Sequence, residues 1–351
     1  MSIRFLITSN DLRVGGAERQ RVHLANALAA RGHEVTLMLM KGPNDMTLAE
    51  LVSPAVMVRS APWWRAGAGG LDRPLLIVSG TTNTEVGYAF RMRRASPRFA
   101  GRRWVVAAHT PPVPDGPTYS RELARAIRMS DGVIALARAH WNELTANQDL
   151  GERVFIVPNG VDPQTFPPRP PSDTTVRICF LGRLVESKGV QFVIEALSEL
   201  PQYPWIFDVY GVGPYSGHLA DLIPPALSGR IRLAGYTDDP AGTAGQYDLF
   251  VLPSRTEAQP MSLLEAMSAG VPVMAHPVAA VPEMLADGGG VLVPEQTAAS
   301  WRQALEPYLR DPRLLAPLGE RGLLRSRVFS EKSMVDGYEA VADMVFSRTN
   351  G

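Results

Sequence analysis

The sequence predicts an α/β protein built from two doubly wound parallel-sheet domains. Its 351 residues are more than one ordinary domain needs. Short apolar runs alternate with helical patterns along the chain, and this βαβ rhythm is typical of a parallel sheet covered by helices on both faces. The rhythm stops at residues 162–172, where five of eleven residues are proline. Because proline cannot hold a helix or an inner strand, this segment is predicted to be an interdomain linker.

The first domain is predicted to span residues 1–165. Its strands are expected where short apolar runs are bounded by turn residues, at Ile3–Ser9, Val35–Met40, Leu75–Ser79, Trp104–Ala108, Gly132–Leu136 and Phe155–Val157. Helical patterns lie between the strands, at Ala17–Ala30, Arg121–Met129 and Ala137–Ala146.

The second domain is predicted to span residues 166–329, with strands at Val176–Leu181, Trp205–Tyr210, Ile231–Ala234, Leu249–Leu252, Val273–Ala275 and Gly290–Val293. Terminal helices are expected at Thr297–Arg310, Leu314–Val328 and Ser330–Ser347. Residues 330–351 would form a C-terminal helix that could pack back on the first domain. Ligands of such sheets bind at the carboxyl ends of the strands, so the natural site is a cleft between the two domains.

Composition excludes several classes of protein. Lys+Arg and Asp+Glu both number 35, which argues against a nucleic-acid-binding protein that relies on bulk positive charge. Cys179 is the single cysteine, so an intramolecular disulfide and a multi-cysteine metal site are excluded, and a reducing cytoplasm is expected. The first apolar run is too short for a signal peptide, and no run reaches 18 residues. We therefore expect a cytoplasmic protein.

A basic cluster follows the first strand of the second domain. Gly182-Arg183-Leu184 and then Lys188-Gly189 lie around the start of the next predicted helix. Only three lysines occur in the chain, so a lysine here is notable. Two cations at a helix N-terminus suit a diphosphate leaving group. The simpler alternative is a pair of solvated basic residues on a surface loop.

Three further features lie at predicted strand ends. Gly15-Gly16 precedes the first helix, where a close backbone approach to an anionic ligand is feasible, although a simple turn explains the pair equally well. His109 ends a strand, and a lone histidine is more often structural. Gly211-Val212-Gly213 follows a strand but lacks the third glycine of a dinucleotide fingerprint.

Two glutamates flank another helix start. Glu257 lies in the loop after the strand Leu249–Leu252, and Glu265 lies one turn inside a helix predicted from about Met261 to Ala269. Each carboxylate could accept hydrogen bonds from ligand hydroxyls, and the free N–H groups of the helix entry would face the same ligand. From spacing alone, one exposed and one helix-face glutamate is the simpler explanation. The helix entry comprises Gln259, Pro260, Met261, Ser262 and Leu263.

Taken in order, these motifs resemble the family 4 retaining glycosyltransferases, which have the GT-B fold of two Rossmann-like domains. The similarity covers nearly the whole chain. It is carried by Gly15-Gly-Ala-Glu-Arg19, Arg31-Gly-His-Glu-Val35, Pro158-Asn-Gly-Val-Asp162, Gly-Arg-Leu with Lys188-Gly, and Glu257-x7-Glu265-Ala-Met with Gly-Val-Pro-Val.

The resemblance implies a role for each matching residue. Arg183 and Lys188 would hold the donor diphosphate, and Glu265 would bind the nucleotide ribose. Glu257 would lie beside the transferred sugar, and His109 would contact that sugar and assist the reaction centre. The loop at Gly16 would close over the phosphates, and backbone groups near Tyr236 would meet the base.

The function implied is the transfer of a hexose-type sugar, with retention, from a nucleoside diphosphate sugar to a hydroxyl. UDP or GDP is the expected donor nucleotide, and no cofactor or metal is expected, because preorganised cations can stabilise the leaving diphosphate and no Asp-x-Asp motif occurs. Where the family often has Gly-Phe-Gly after the first glutamate, this chain has Ala258-Gln259-Pro260-Met261, which leaves the identity of the sugar open.

The acceptor favoured by a compact first domain is a small natural product, an aminocyclitol or a sugar. One alternative is a peripheral membrane enzyme acting on a lipid-linked or envelope glycan, suggested by Trp63-Trp64 and by six arginines in Arg91–Trp104. A membrane surface is not favoured as a partner, and nucleic acid is not expected. A second alternative is a nucleotide-sugar-binding module without activity, although every reaction-centre residue of the family is present. A GT-B epimerase or phosphorylase is a third; the phosphorylase would need a lysine for pyridoxal phosphate.

Overall fold

The structure is a computed structural model that describes residues 2–12, 15–41, 46–60, 74–94, 102–113, 116–162 and 175–347. The chain divides into two compact units: Met1–Gly160 with Glu331–Gly351, and Val161–Ser330. The predicted linker, except Asp162, lies outside the described residues, as do Trp63-Trp64 and residues 95–101 of the arginine-rich segment.

The first unit has a seven-stranded parallel sheet in the order β3-β2-β1-β4-β5-β6-β7. Its strands are β1 (Arg4–Ser9), β2 (Glu34–Leu39), β3 (Met57–Ser60), β4 (Leu75–Ser79), β5 (Arg102–Ala107), β6 (Gly132–Ala135) and β7 (Val154–Ile156). Its helices are α1 (Gly16–Ala30), α2 (Asn83–Arg94), α3 (Arg121–Arg128), α4 (Arg138–Thr145) and the C-terminal α12 (Glu331–Ser347).

The central strand β1 supplies both cores of this unit, because alternate side chains of a strand point to opposite faces. Phe5 and Ile7 lie in one apolar cluster, which also contains residues of α1 and α12. Leu6 lies in the other cluster, with residues of α2 and α3. Helix α12 is tied to the same unit by an ion pair of 2.6 Å between Arg31 and Asp336.

The second unit has a six-stranded parallel sheet in the order β10-β9-β8-β11-β12-β13. Its strands are β8 (Val176–Leu181), β9 (Trp205–Tyr210), β10 (Ile231–Gly235), β11 (Leu249–Leu252), β12 (Val273–Ala275) and β13 (Val291–Leu292). Its helices are α5 (Val190–Ser198), α6 (Ser216–Asp221), α7 (Pro240–Ala244), α8 (Met261–Ser268), α9 (Val281–Met284), α10 (Ala298–Arg310) and α11 (Leu315–Ser326).

Two doubly wound parallel-sheet units confirm the predicted fold class. Strand β3 was not predicted: it is an edge strand of four residues in which Val58 is half-buried and the other three are exposed. Among the described helices, none is both long and apolar enough to cross a membrane.

Candidate functional site

Most of the predicted site residues lie at one edge of the second sheet. Strands β10, β9, β8 and β11 are consecutive and parallel, so their carboxyl ends meet at the same edge. Tyr236 follows β10, Arg183 and Lys188 follow β8, and Glu257 follows β11.

The loops after β8 and β9 pack backbone against backbone. The N–H of Gly182 donates to the carbonyl of Tyr210 at 3.0 Å, and the N–H of Leu184 donates to that of Val212 at 3.0 Å. Gly211 has φ +139°, and a Cβ there would lie 1.8 Å from the Gly182 oxygen. A Cβ on Gly213 would lie 2.2 Å from the Leu184 oxygen. These two glycines are therefore required for the loop that carries Arg183 to hold its place.

Arg183 lies beside this backbone contact between the loops after β8 and β9, which we call the seam. Its side chain is exposed, and the backbone bonds of Gly182 and Leu184 fix the residue on both sides. No carboxylate of the described residues forms an ion pair with it. Its guanidinium is thus available to an anionic ligand.

Lys188 forms an ion pair with Glu257. The Lys188 Nζ lies 2.6 Å from the Glu257 Oε1, and the two side chains are 22% and 9% exposed. An ammonium has three donors, so Lys188 can hold Glu257 and still donate to a phosphate oxygen. The structure therefore brings together the predicted diphosphate-binding lysine and the first predicted glutamate.

The backbones of the Lys188 and Glu257 loops are also locked together. The Arg255 N–H donates to the Ser187 carbonyl at 2.7 Å. Gly189 has φ +71°, and a Cβ on it would lie 2.1 Å from the Pro253 oxygen. Gln296 donates to that same oxygen and accepts from Arg255 Nε at 3.0 Å. Gln296 was not among the predicted site residues, because it lies 41 positions from Arg255 and belongs to no local motif.

Helix α8 begins just beyond Glu257. Pro260 is its N-cap residue with φ −70°, so the first N–H groups belong to Met261, Ser262 and Leu263. In an α-helix, N–H groups of the first turn have no partner within the helix. Glu265 lies in the same helix and is 8% exposed. The predicted helix entry is confirmed, whereas the contacts assigned to these residues stay predictions.

The segment that joins Glu257 to α8 is anchored from the strand β12 side. The Ala280 N–H donates to the Ala258 carbonyl at 3.1 Å. The neighbouring Ala279 has φ +44°, in the left-handed region that rarely suits a residue with a side chain. Gln259 is 5% exposed. Residues 258–261, which stand where the family often has Gly-Phe-Gly, are therefore buried and held in place.

Tyr236 follows β10, the outermost strand on one side of the second sheet, so it lies at one end of this edge. It follows Gly235, whose carbonyl accepts a hydrogen bond of 2.6 Å from the Gly211 N–H. The Tyr236 side chain is 47% exposed, an unusual position for a large aromatic ring. Its predicted place beside the base stays a prediction.

The remaining predicted residues lie in the first unit. Gly15 caps helix α1 and Gly16 is its first residue, and the Arg19 N–H donates to the Gly15 carbonyl at 2.9 Å. A Cβ on Gly15 would lie 2.3 Å from Oε2 of Glu18, so that side chain covers this glycine. His109 follows β5, at the carboxyl edge of the first sheet.

His109 is held neutral. Its Nε2 atom is buried and has no hydrogen-bond partner among the described residues. Burial is the largest cause that lowers the pKa of His109 to about 3, with smaller contributions from the nearby Arg21 and His140. A neutral imidazole with an unused nitrogen can donate to or accept from a ligand hydroxyl.

A buried ion pair that was not predicted from the sequence lies near the carboxyl ends of β1 and β4. Glu85 is fully buried and its Oε1 lies 3.3 Å from Nη2 of Arg21. The Thr8 and Thr82 hydroxyls donate to Glu85 at 3.2 and 2.7 Å. A Cβ on Gly80 would lie 2.2 Å from the Arg21 guanidinium. The pattern Thr82-x-x-Glu85, a capping box at the start of α2, is the local signal that could have identified Glu85.

The neutral His109 predicts a pH-dependent stability. An unfolded histidine has a pKa near 6.5, so between pH 6.5 and about 3 the unfolded chain binds a proton that the folded chain does not. The free energy of unfolding should therefore decrease as the pH falls through this window, by up to about 1.4 kcal/mol per pH unit. Burial lowers the pKa of His140 as well, which adds to the effect.

Urea unfolding between pH 4 and 7 measures this dependence. The His109→Gln variant should lose less stability than the wild type as the pH falls, because one of the two buried histidines is gone. An identical slope in both proteins would contradict a neutral, buried His109.

The charged side chains of the described residues form no metal cluster: no group of three or more His, Cys, Asp or Glu lies close enough to hold an ion. The expectation of a metal-free and cofactor-free site stays a prediction.

Two family models match the chain, and they divide it at the predicted linker. "Glycosyltransferase Family 4" matches residues 14–165, and "Glycosyl transferases group 1" matches residues 175–311.

Several curated proteins are similar in sequence. The lipopolysaccharide core biosynthesis glycosyltransferase LpsE of Rhizobium meliloti is 28% identical over 92% of this chain and 94% of its own length. A D-inositol 3-phosphate glycosyltransferase of Kineococcus radiotolerans is 31% identical over 50% of this chain and 48% of its own. The alpha-D-kanosaminyltransferase of Streptomyces kanamyceticus is 32% identical over 41% of this chain and 39% of its own. A putative colanic acid biosynthesis glycosyltransferase of Escherichia coli is 30% identical over 58% of this chain, and the match covers 54% of that relative's own length.

Solved structures share the fold over the whole chain. Sucrose-phosphate synthase from Thermosynechococcus elongatus superposes with a TM-score of 0.81 over 99% of this chain and 100% of its own, at 19% identity. Anabaena HepE, in complex with UDP and glucose, superposes with a TM-score of 0.80 over 97% of this chain and 99% of its own, also at 19% identity. These neighbours and the two family models confirm the predicted resemblance. The chain belongs to the family 4 glycosyltransferases and has the GT-B fold.

Proposed function

We propose that the protein is a retaining glycosyltransferase that moves a hexose-type sugar from a nucleoside diphosphate sugar to a hydroxyl of a small soluble acceptor. The observation that carries this proposal is the Lys188–Glu257 ion pair of 2.6 Å, which sets a cation and a carboxylate side by side next to the N-terminus of α8. The family supplies the enzyme class.

The chemistry of transfer needs this charge arrangement. The bond between the sugar C1 and the diphosphate oxygen breaks through an oxocarbenium-like state, and a bond from C1 to the acceptor oxygen forms. Negative charge builds on the leaving diphosphate, where Lys188, Arg183 and the α8 N–H groups can stabilise it. In this proposal the Glu257 carboxylate accepts hydrogen bonds from the sugar hydroxyls, and the acceptor's proton passes to the diphosphate on the same face. These groups supply the positive charge that a metal would otherwise bring, so we propose a metal-independent reaction without a cofactor.

His109 and Glu265 are proposed to contact hydroxyl groups of the substrates. The unused Nε2 of the neutral His109 suits a hydroxyl at the reaction centre. Glu265, on α8 beyond the free N–H groups, suits the ribose hydroxyls. Tyr236 and its neighbours would meet the base. UDP is the first nucleotide to test, because HepE was solved with it, and GDP is the second.

The acceptor class has two candidates. A relative whose name gives D-inositol 3-phosphate as its substrate supports a small acceptor. The second candidate is an envelope or lipid-linked glycan, favoured by the nearly end-to-end match to a lipopolysaccharide core glycosyltransferase. Either reaction is proposed to take place in the cytoplasm.

An assay with a panel of donors and acceptors tests this function. UDP-, GDP-, ADP- and dTDP-hexoses are incubated with inositol phosphates, aminocyclitols and envelope glycans in EDTA, and nucleoside diphosphate release is followed. We expect the release of nucleoside diphosphate to depend on the presence of a small acceptor. We also expect NMR to show that the anomeric configuration of the product equals that of the donor. An inverted product would overturn the retaining assignment, and loss of activity in EDTA would overturn metal independence. Transfer only to glycans would select the second candidate.

A further inference from the structure

The residue after His109 is held from two sides. The Thr110 carbonyl oxygen lies 3.1 Å from Nε2 of His140, and the Thr110 hydroxyl lies 2.5 Å from the hydroxyl of Thr81. His140 belongs to helix α4, and Thr81 lies in the loop after β4. The short loop after β5 is therefore fixed to two neighbouring elements just beyond His109.

Both ring nitrogens of His140 serve the backbone. The Leu136 N–H donates to its Nδ1 at 3.4 Å, so Nδ1 carries no proton and Nε2–H must donate to the Thr110 carbonyl. The side chain is fully buried. Burial lowers the pKa of His140, which keeps the ring neutral and this tautomer in place. A buried apolar side chain would fill the same space but would leave two backbone groups unbonded.

The position of this loop decides where His109 points. The Ala108 N–H donates to the Ile134 carbonyl at 2.8 Å, so the backbone is fixed before His109 as well as after it. The buried Nε2 of His109 has no partner within the described residues that could orient the ring in place of the backbone. Displacement of Thr110 would therefore move the unused nitrogen directly.

We propose that His140 is a positioning residue that acts through Thr110 to aim the imidazole of His109. The inference rests on the proposed function, in which His109 assists the reaction centre. Thr81 is the second support of the same loop. Misplacement of a reacting group by about 1 Å can lower a rate about a hundredfold, so such a support has a measurable effect on turnover.

Three variants of the wild-type chain separate positioning from folding. His140→Phe removes both hydrogen bonds but keeps the volume. His140→Gln keeps an N–H donor for the Thr110 carbonyl. His33→Phe is the matched control, because both ring nitrogens of His33 are also hydrogen-bonded. They contact the Ile3 N–H at 3.2 Å and Glu339 at 2.9 Å, next to the first residue of β1 and away from the carboxyl edge of the sheet that carries His109.

We expect kcat to fall about 10- to 100-fold in His140→Phe, with KM for the donor within about twofold of wild type, since Arg183, Lys188 and Glu265, which are proposed to bind the diphosphate and the ribose, lie in the second unit. His140→Gln should recover most of kcat, and His33→Phe should lower the melting temperature without this loss of turnover. Adding Thr81→Val to His140→Phe should be less than additive, because both act on Thr110. A His140→Phe protein with wild-type kcat, or with a loss matched by His33→Phe, would overturn the inference.

The imidazole nitrogens of His109 give a second readout that does not require activity. In histidine-labelled protein, the ¹⁵N resonance of His109 Nε2 should shift in His140→Phe and stay in His33→Phe. If wild-type protein transfers no sugar, the proposed function fails, while this comparison still decides whether His140 positions His109. An unshifted His109 resonance in His140→Phe would refute the positioning role.

Discussion

Replacing Lys188 by alanine is expected to lower kcat/KM for the sugar donor by about 10²- to 10³-fold. Loss of one preorganised donor to developing negative charge has effects of this size. The change also leaves the Glu257 carboxylate, 9% exposed, without the cation that lies 2.6 Å away. The diphosphate would then meet an uncompensated negative charge. Steady-state kinetics with the donor identified by the acceptor panel measures the loss.

Lys332→Ala is the matched control for this variant. Lys332 also forms an ion pair of 2.6 Å, with Asp336, but its side chain is 76% exposed. An exposed pair of this kind contributes about 0–1 kcal/mol to stability, and no effect on kcat/KM is expected. A Lys188→Ala protein within about threefold of wild type would contradict the assignment of Lys188 to the diphosphate.

Gly211→Ala is expected to destabilise the second unit and to weaken donor binding together. The backbone has φ +139°, and the new Cβ would lie 1.8 Å from the carbonyl oxygen of Gly182, a backbone atom without freedom to rotate away. Strain of this type costs about 1–3 kcal/mol before the clash is relieved. Relief requires the loops after β8 and β9 to separate, which displaces Arg183. Calorimetric unfolding should show a lower melting temperature, and nucleotide titration a weaker affinity.

Gly217→Ala serves as the control for Gly211→Ala. Gly217 lies in helix α6, and a Cβ there has no neighbour within 4 Å. Alanine in a helix is more favourable than glycine by about 0.5–1 kcal/mol, so this variant should be as stable as the wild type or more stable. A Gly211→Ala protein with wild-type melting temperature and nucleotide affinity would show that the close contact between the two loops is not required for stability or for nucleotide binding.

The strands were predictable because parallel strands covered on both faces are nearly continuous apolar runs. Val176–Leu181, Trp205–Tyr210 and Leu249–Leu252 were predicted with the bounds that the structure has. Strand β3 could not be predicted in this way, because Met57–Ser60 lies at an exposed edge with little apolar burial. Its pairing with β2, not its composition, makes it a strand.

The site was predictable only where its residues follow one another in short motifs. Lys188 and Glu257 were identified from two separate motifs, and their direct contact over 69 positions required the fold. The Gly211-Val-Gly213 segment is weak as a phosphate loop in sequence because it lacks the third glycine of a dinucleotide fingerprint. Its packing role required the fold, because its close neighbours, Gly182 and Leu184, follow a different strand. His140 belongs to no sequence motif, since its proposed role depends on a hydrogen bond to the carbonyl of a residue 30 positions away.

We propose above all that the edge of the second unit that carries Arg183, Lys188 and Glu257 binds a nucleoside diphosphate without a metal. Isothermal titration calorimetry of the wild type and Lys188→Ala with UDP, GDP, ADP and dTDP in EDTA tests it most directly. We predict that UDP or GDP binds the wild type with a micromolar Kd, and that Lys188→Ala weakens this binding at least about tenfold, equivalent to about 1.4 kcal/mol. No binding of any of the four nucleotides, or equal affinity in the two proteins, would contradict the claim.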